Sequence, residues 1–218
     1  MVSCIDDVTA SSYTADRFRI EFAAFLPLRL ASIEFEGTPM WSLSNQHPLR
    51  RMFAGLTEHA FQSTLGIADP PLVDYVSGIL TKFLHADASY RLRDGEGRPI
   101  CEVVEMIREA ESLPAEGRTR REYHRHIGDF TLFWTGLYPE TVQRSRSNWS
   151  KDHFVSYCET GKKCYRIAST YEDDPYKEES AVLRRLSDEF ELCAVGLHHV
   201  RKEFETLHVE GDAGKVIG

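Results

Sequence analysis

Residues Gly117 to Pro139 read GRTRREYHRHIGDFTLFWTGLYP, and the folding of this stretch decides how the rest of the chain is arranged. On a wheel of about 100° per residue, Tyr123, Ile127, Phe130, Phe133, Trp134 and Leu137 collect on one broad face. Glu122, His126 and Asp129 follow at i, i+4 and i+7, a row along the border of that face. Arg121, Arg125 and Gly128 lie opposite, together with Leu132. An apolar residue on the polar side predicts a helix covered on two sides, with Gly128 as the place where a neighbour comes close. Gly136 and Pro139 mark its end.

A buried central helix needs others around it, and the flanking sequence supplies them. From Pro48 the helical period runs through Phe53, Leu56, Ala60 and Leu65, with Gly66 as the stop. Asp69-Pro70-Pro71 reads as an N-cap followed by proline in a first turn, ahead of the stripe Leu72, Tyr75, Val76, Ile79, Leu80 and Phe83. Val103, Val104, Met106 and Ile107 predict a short helix ending before Pro114. Ser150 is placed to cap a helix carrying Phe154, Tyr157, Cys158, Gly161, Cys164 and Tyr165, which Asp173-Asp174-Pro175 breaks. Leu186, Phe190, Cys193, Leu197, Val200, Phe204 and Leu207 alternate spacings of four and three, a heptad-like seam on one long last helix. That seam serves either packing across the chain's own domain or a homodimer through the C-terminal helix.

The expected fold is therefore all-α: an irregular bundle of about six helices in one domain over residues 40–210. Tyr90 to Ile100, with Asp94-Gly95 and Gly97, reads as a small hairpin. Residues 1–39 alternate apolar and polar at Phe18, Ile20 and Phe22 and form a non-helical arm, either short strands or disordered. Residues 211–218 are expected to fray.

The totals agree with a globular helical protein: 218 residues, 42% hydrophobic, 28% charged, net charge −8. That negative balance disfavours broad binding to polyanionic nucleic acid. Cys4, Cys101, Cys158, Cys164 and Cys193 contain no CxxC pair, so reduced thiols in a cytoplasm are the expectation. No stretch reads as a signal peptide or membrane span. The chain carries no P-loop, GxGxxG or GxSxG motif.

Two chemistries compete for the central stretch. Arg118, Arg121 and Arg125, with His124 beside them, suit a carboxylate or phosphate, because guanidinium forks match oxyanions. Cations at a helix N-terminus also oppose the macrodipole, by about 0.3–1 kcal/mol each. An acidic partner nearby, from the protein or from a ligand, is expected to offset this. The row Glu122, His126 and Asp129 has three readings: a buried network fixing helix packing, a general base oriented by a carboxylate, or ligands for zinc, iron or manganese. His85 and Asp87, just past the Phe83 helix, are the nearest extra ligands. The leading functional expectation is a non-enzymatic cytoplasmic protein binding a partner or small anionic ligand at the arginine-rich start of this helix. The alternative is a metal-dependent hydrolytic or oxidative enzyme built on the row.

Overall fold

The computed structural model describes residues 47–83, 92, 100, 102–144 and 150–213. The arm of residues 1–39, the hairpin glycines Gly95 and Gly97, and the proposed ligands His85 and Asp87 lie outside the described residues. Among those described, every regular element is helical, in an irregular all-α bundle. In chain order these are α1 (Pro48–His59), α2 (Pro70–Phe83), α3 (Val103–Ser112), α4 (Arg118–Leu137), α5 (Pro139–Arg144), α6 (Ser150–Ala168), α7 (Lys177–Asp188) and α8 (Phe190–Ala213).

Local chemistry sets most of the boundaries. Pro48 opens α1, and the His47 ring accepts from the Leu49 N–H at 3.3 Å. A π-helical turn, Ala60–Thr64, continues α1, and Gly66 in the left-handed region (φ 68°) ends it. Asp69 caps α2, its carboxylate accepting from the Leu72 N–H at 3.2 Å. Ile100 N–H donates to the Leu92 carbonyl at 2.9 Å, which brings the two ends of the Asp94-Gly95 link together.

The stretch at residues 117–139 forms the axis. α4 packs along α6 for much of its length and also meets α8, α3 and α2. From His126 to Leu137 every residue of it is buried. The helix is thus covered on both sides, as Leu132 on its polar side predicts. Its polar positions facing inward satisfy themselves: Thr131 Oγ1 donates to the Ile127 carbonyl at 2.8 Å, and Thr135 Oγ1 to the Thr131 carbonyl at 2.7 Å. α6 comes close at Gly128, since a Cβ there would sit 2.6 Å from the Tyr165 ring.

The last part of the chain departs from the expectation. The single long helix from Leu186 is two helices, broken at Glu189 (φ −112°, ψ 26°). The break falls between Leu186 and Phe190, both fully buried. A spacing of four survives a one-residue bend, so periodicity alone does not see it. The bend sends α7 across α6 and α2, while α8 runs along α4 and α1. The seam on α8 is spent inside the domain: Phe190, Cys193, Leu197, Val200 and Phe204 are all buried, and Phe204 stacks on Phe53 with ring centroids 6.0 Å apart. Only the last seam residue, Leu207, is outward, at 54% exposure. The α8 backbone stays helical to Ala213, past the point where fraying is expected. None of the described helices is long and apolar enough to cross a membrane.

The close approach at Gly128 gives a direct test. Gly128→Ala must push Tyr165 away and is expected to cost about 1–3 kcal/mol by overpacking. Gly55, exposed on α1 with nothing within 4 Å of an added Cβ, is its control. Gly55→Ala should leave stability unchanged or raise it by up to about 1 kcal/mol. Urea unfolding of the two variants against the parent measures both.

Candidate functional site

The polar residues of α4 do not act as one row. They divide between two centres stacked along the helix, and each centre recruits a different neighbour.

The lower centre is Asp129. Its side chain is buried, and three donors converge on it. Tyr75 Oη donates to Oδ1 at 2.9 Å, Tyr165 Oη to the same oxygen at 3.1 Å, and Lys82 Nζ to Oδ2 at 2.7 Å. Tyr75 and Lys82 come from α2 and Tyr165 from α6, so one carboxylate ties three helices together. Burial alone would raise the Asp129 pKa, but the charges of Lys82 and Arg125, with the Lys82 hydrogen bond, outweigh it and hold the carboxyl below its usual range. Burial, and then the Asp129 charge, push both tyrosine hydroxyls well above their ordinary value. They therefore remain donors throughout the physiological range.

The upper centre is a quartet of two arginines and two glutamates. Arg121, fully buried, donates through Nη1 to Glu122 at 2.7 Å and through Nη2 to Glu179 at 2.5 Å. Arg125 repeats the pattern, with Nη2 on Glu122 at 2.7 Å and Nη1 on Glu179 at 2.8 Å. The two oxygens of Glu179 are thus shared between two guanidiniums. The Tyr176 ring lies against Arg121, its centroid 4.0 Å from Cζ. Burial would lower the Arg125 pKa, but Asp129, Tyr75, Glu179 and Glu122 together raise it, so the charge is permanent. Arg125 also links the centres, since it acts on Asp129 below and Glu179 above.

The remaining candidates fall elsewhere. Arg118 is exposed on the first turn of α4. His126 is buried among aromatic rings, 5.7 Å from the Phe83 centroid and 6.5 Å from that of Phe130. His124 is 2% exposed, and neither ring nitrogen has a hydrogen-bond partner among the described residues. Burial lowers its pKa to about 4, helped by Arg120 and Lys163 and opposed by Glu111. Glu122, His126 and Asp129 therefore have different surroundings: one carboxylate on two guanidiniums, one on an ammonium and two phenols, and the imidazole among rings. Among the described residues, no three His, Cys, Asp or Glu side chains converge as a set for a metal ion. A cation entering at Asp129 would have to displace Lys82. The described thiols are equally reserved; burial first of all raises Cys158 to about 11 and Cys164 and Cys193 to about 12, far from the reactive thiolate.

Compared with known proteins, the chain matches no family model, no curated protein and no solved structure. The site has to be read from its own geometry.

Five of its members, Tyr75 in the apolar stripe of α2 among them, are not singled out by the sequence pattern as site residues. Lys82 stands seven residues after Tyr75, hence on the same side of α2, and a lysine in line with an apolar stripe is a usable signal. Tyr165 sits among the apolar positions of α6, with nothing to distinguish its hydroxyl. Glu179 and Tyr176 stand ahead of Leu186, where the seam of the expected last helix begins, and nothing in the pattern marks them.

Two outcomes follow from these environments. Asp129→Ala strands the Lys82 ammonium and two phenol hydroxyls, and is expected to cost about 3–5 kcal/mol in chemical denaturation. The second concerns acid. The unfolded chain protonates His124 near 6.5, while the folded protein does so only near 4. Between these values the unfolded state holds the extra proton, so stability falls as pH falls, by about 3 kcal/mol across the window from this residue. His124→Leu should flatten the pH dependence of the urea midpoint between pH 6.5 and 4; an unchanged slope would contradict the assignment.

Proposed function

We propose that this chain is a non-enzymatic helical protein that binds a small anionic ligand, a carboxylate or phosphate, at the start of α4. The observation that carries this reading is the two-point grip on Glu179. Two guanidiniums, one from a fully buried arginine, close on a single carboxylate at 2.5 and 2.8 Å. That is the recognition arginine forks are suited to, realised here on a side chain of the protein itself. Arg121 and Arg125 supply the grip, and Arg118, outward on the same helix, adds long-range attraction.

Support for this reading over a metal-dependent enzyme comes from the row itself. Both of its carboxylates are already engaged by cations, so neither is free to act as a base or to meet a metal without breaking an ion pair. A cytoplasmic setting accords with Cys158, Cys164 and Cys193 all being free thiols.

Titration calorimetry with inorganic phosphate and with succinate, at low and high ionic strength, tests the reading. Binding should weaken as salt rises. It should fall at least about tenfold in Arg125→Ala, the loss expected when a charged hydrogen bond is removed. Arg125 is the better target because it is 23% exposed, and its removal leaves Arg121 still paired with both glutamates. Affinity unchanged in a folded Arg125→Ala would dismiss the arginine cluster as a binding site.

A further inference from the structure

We propose that Glu179 is the resident occupant of the anion site and its built-in competitor: an incoming oxyanion binds by displacing the Glu179 carboxylate from Arg121 and Arg125. This rests on the anion-binding reading above and adds how that site is regulated and what its ligand must offer.

Three features support displacement. The first is the placement of the charges. Glu179 is the sole contribution of α7 to the quartet, whereas Arg121, Glu122 and Arg125 all stand on α4. The guanidiniums are held by their own helix whether or not Glu179 is present. The second is access. Arg121 is sealed, but Arg125, Glu179 and Glu122 are 23%, 29% and 37% exposed at the side chain, so the quartet reaches solvent at both glutamates. The buried Leu183 and Leu186 anchor α7 at positions other than Glu179. The third is unused capacity. The Nε–H of Arg121 and that of Arg125 are both buried without an acceptor among the described residues, although each guanidinium's Nη groups are bonded. The four oxygens of Glu122 and Glu179 are taken by the Nη groups and leave these two donors unserved. A phosphate, with more acceptor oxygens around one centre, suits the site better than the glutamate that fills it.

A tethered carboxylate lowers the apparent affinity of any external anion by the fraction of time the site is free. Neutralising it should therefore reveal tighter binding. Glu179→Gln keeps the shape and removes the competing charge. Its control is Glu178→Gln, which makes the same change in net charge on the exposed neighbouring residue.

Inorganic phosphate is titrated into the full-length parent and both variants by calorimetry, with folding followed by circular dichroism. The expected result is phosphate binding at least about tenfold tighter in Glu179→Gln than in the parent, with Glu178→Gln unchanged. Equal affinity in Glu179→Gln and the parent overturns the competition while leaving the anion-binding reading intact. An equal gain in both variants overturns it too, by assigning the effect to overall charge. No phosphate binding in any of the three overturns the anion-binding reading and this inference with it. If Glu179→Gln is unfolded in chloride buffer, the same question is answered by adding phosphate at matched ionic strength. Recovery of the helical signal by phosphate supports displacement, and failure to recover overturns it.

Discussion

One buried carboxylate decides how the centre of this bundle meets. Asp129 sits on the most enclosed helix, and its two oxygens accept from α2 twice and from α6 once. Taking an ion out of water costs several kcal/mol, so a charge in this position is no source of net stability compared with apolar packing. What it contributes is register. Apolar stripes such as Leu72, Val76, Ile79 and Leu80 would tolerate a helix sliding or rotating by part of a turn. A carboxylate that needs three donors within about 3 Å would not. The close fit of Tyr165 against Gly128, one position before Asp129 on the same helix, fixes the same contact sterically. Packing and charge thus select one arrangement of α4 against α6.

A second constraint of the same kind acts one turn up the helix. An arginine-rich helix start sets its cations against the positive end of the macrodipole, and that conflict is resolved by recruitment of α7. Glu179 neutralises Arg121 and Arg125 together, Tyr176 lies over Arg121, and the Tyr171 hydroxyl reaches the Ala115 carbonyl at 2.5 Å just ahead of α4. α7 is therefore held by polar contacts at its start and by Leu183 and Leu186 along its length. The polar and apolar attachments do separate work: the leucines hold the helix, and the glutamate sets the charge balance of the arginines.

How far the sequence shows this depends on what kind of signal each part leaves. The central helix is legible because its pattern is internal: the wheel separates aromatic, border and arginine sides, and Leu132 on the wrong side announces a second covering layer. The caps at Pro48 and Asp69-Pro70 are legible because a few atoms within one turn decide them. The bend at Glu189 is not, since Leu186 and Phe190 keep helical spacing across it and no glycine or proline marks it. The partners of the row are not legible either. A carboxylate on a border position declares that it needs donors, but not which helix will bring them. Lys82 leaves a trace by its alignment with Tyr75, Tyr165 hides its hydroxyl among apolar neighbours, and Glu179 looks like any solvated glutamate. The macrodipole comes closest to naming a partner, for it calls for an acid near Arg121 without saying which helix carries it.

The structural ion pairs of the quartet are also the proposed binding site. A lock built only for stability would do better with the arginines' donors fully used, because each buried unpaired N–H forfeits about 1–3 kcal/mol. The quartet instead leaves both Nε–H groups without acceptors and places its only carboxylate from another helix at the partly exposed rim. Asp129, one turn below, shows how this chain closes a buried charge when nothing further has to enter: three donors, both oxygens engaged, and Tyr165 packed against the backbone alongside. The two centres share a helix and are linked through Arg125, yet they differ in completeness. The complete one fixes the bundle, and the incomplete one, over the same scaffold, is where the proposed anion would take the place of Glu179.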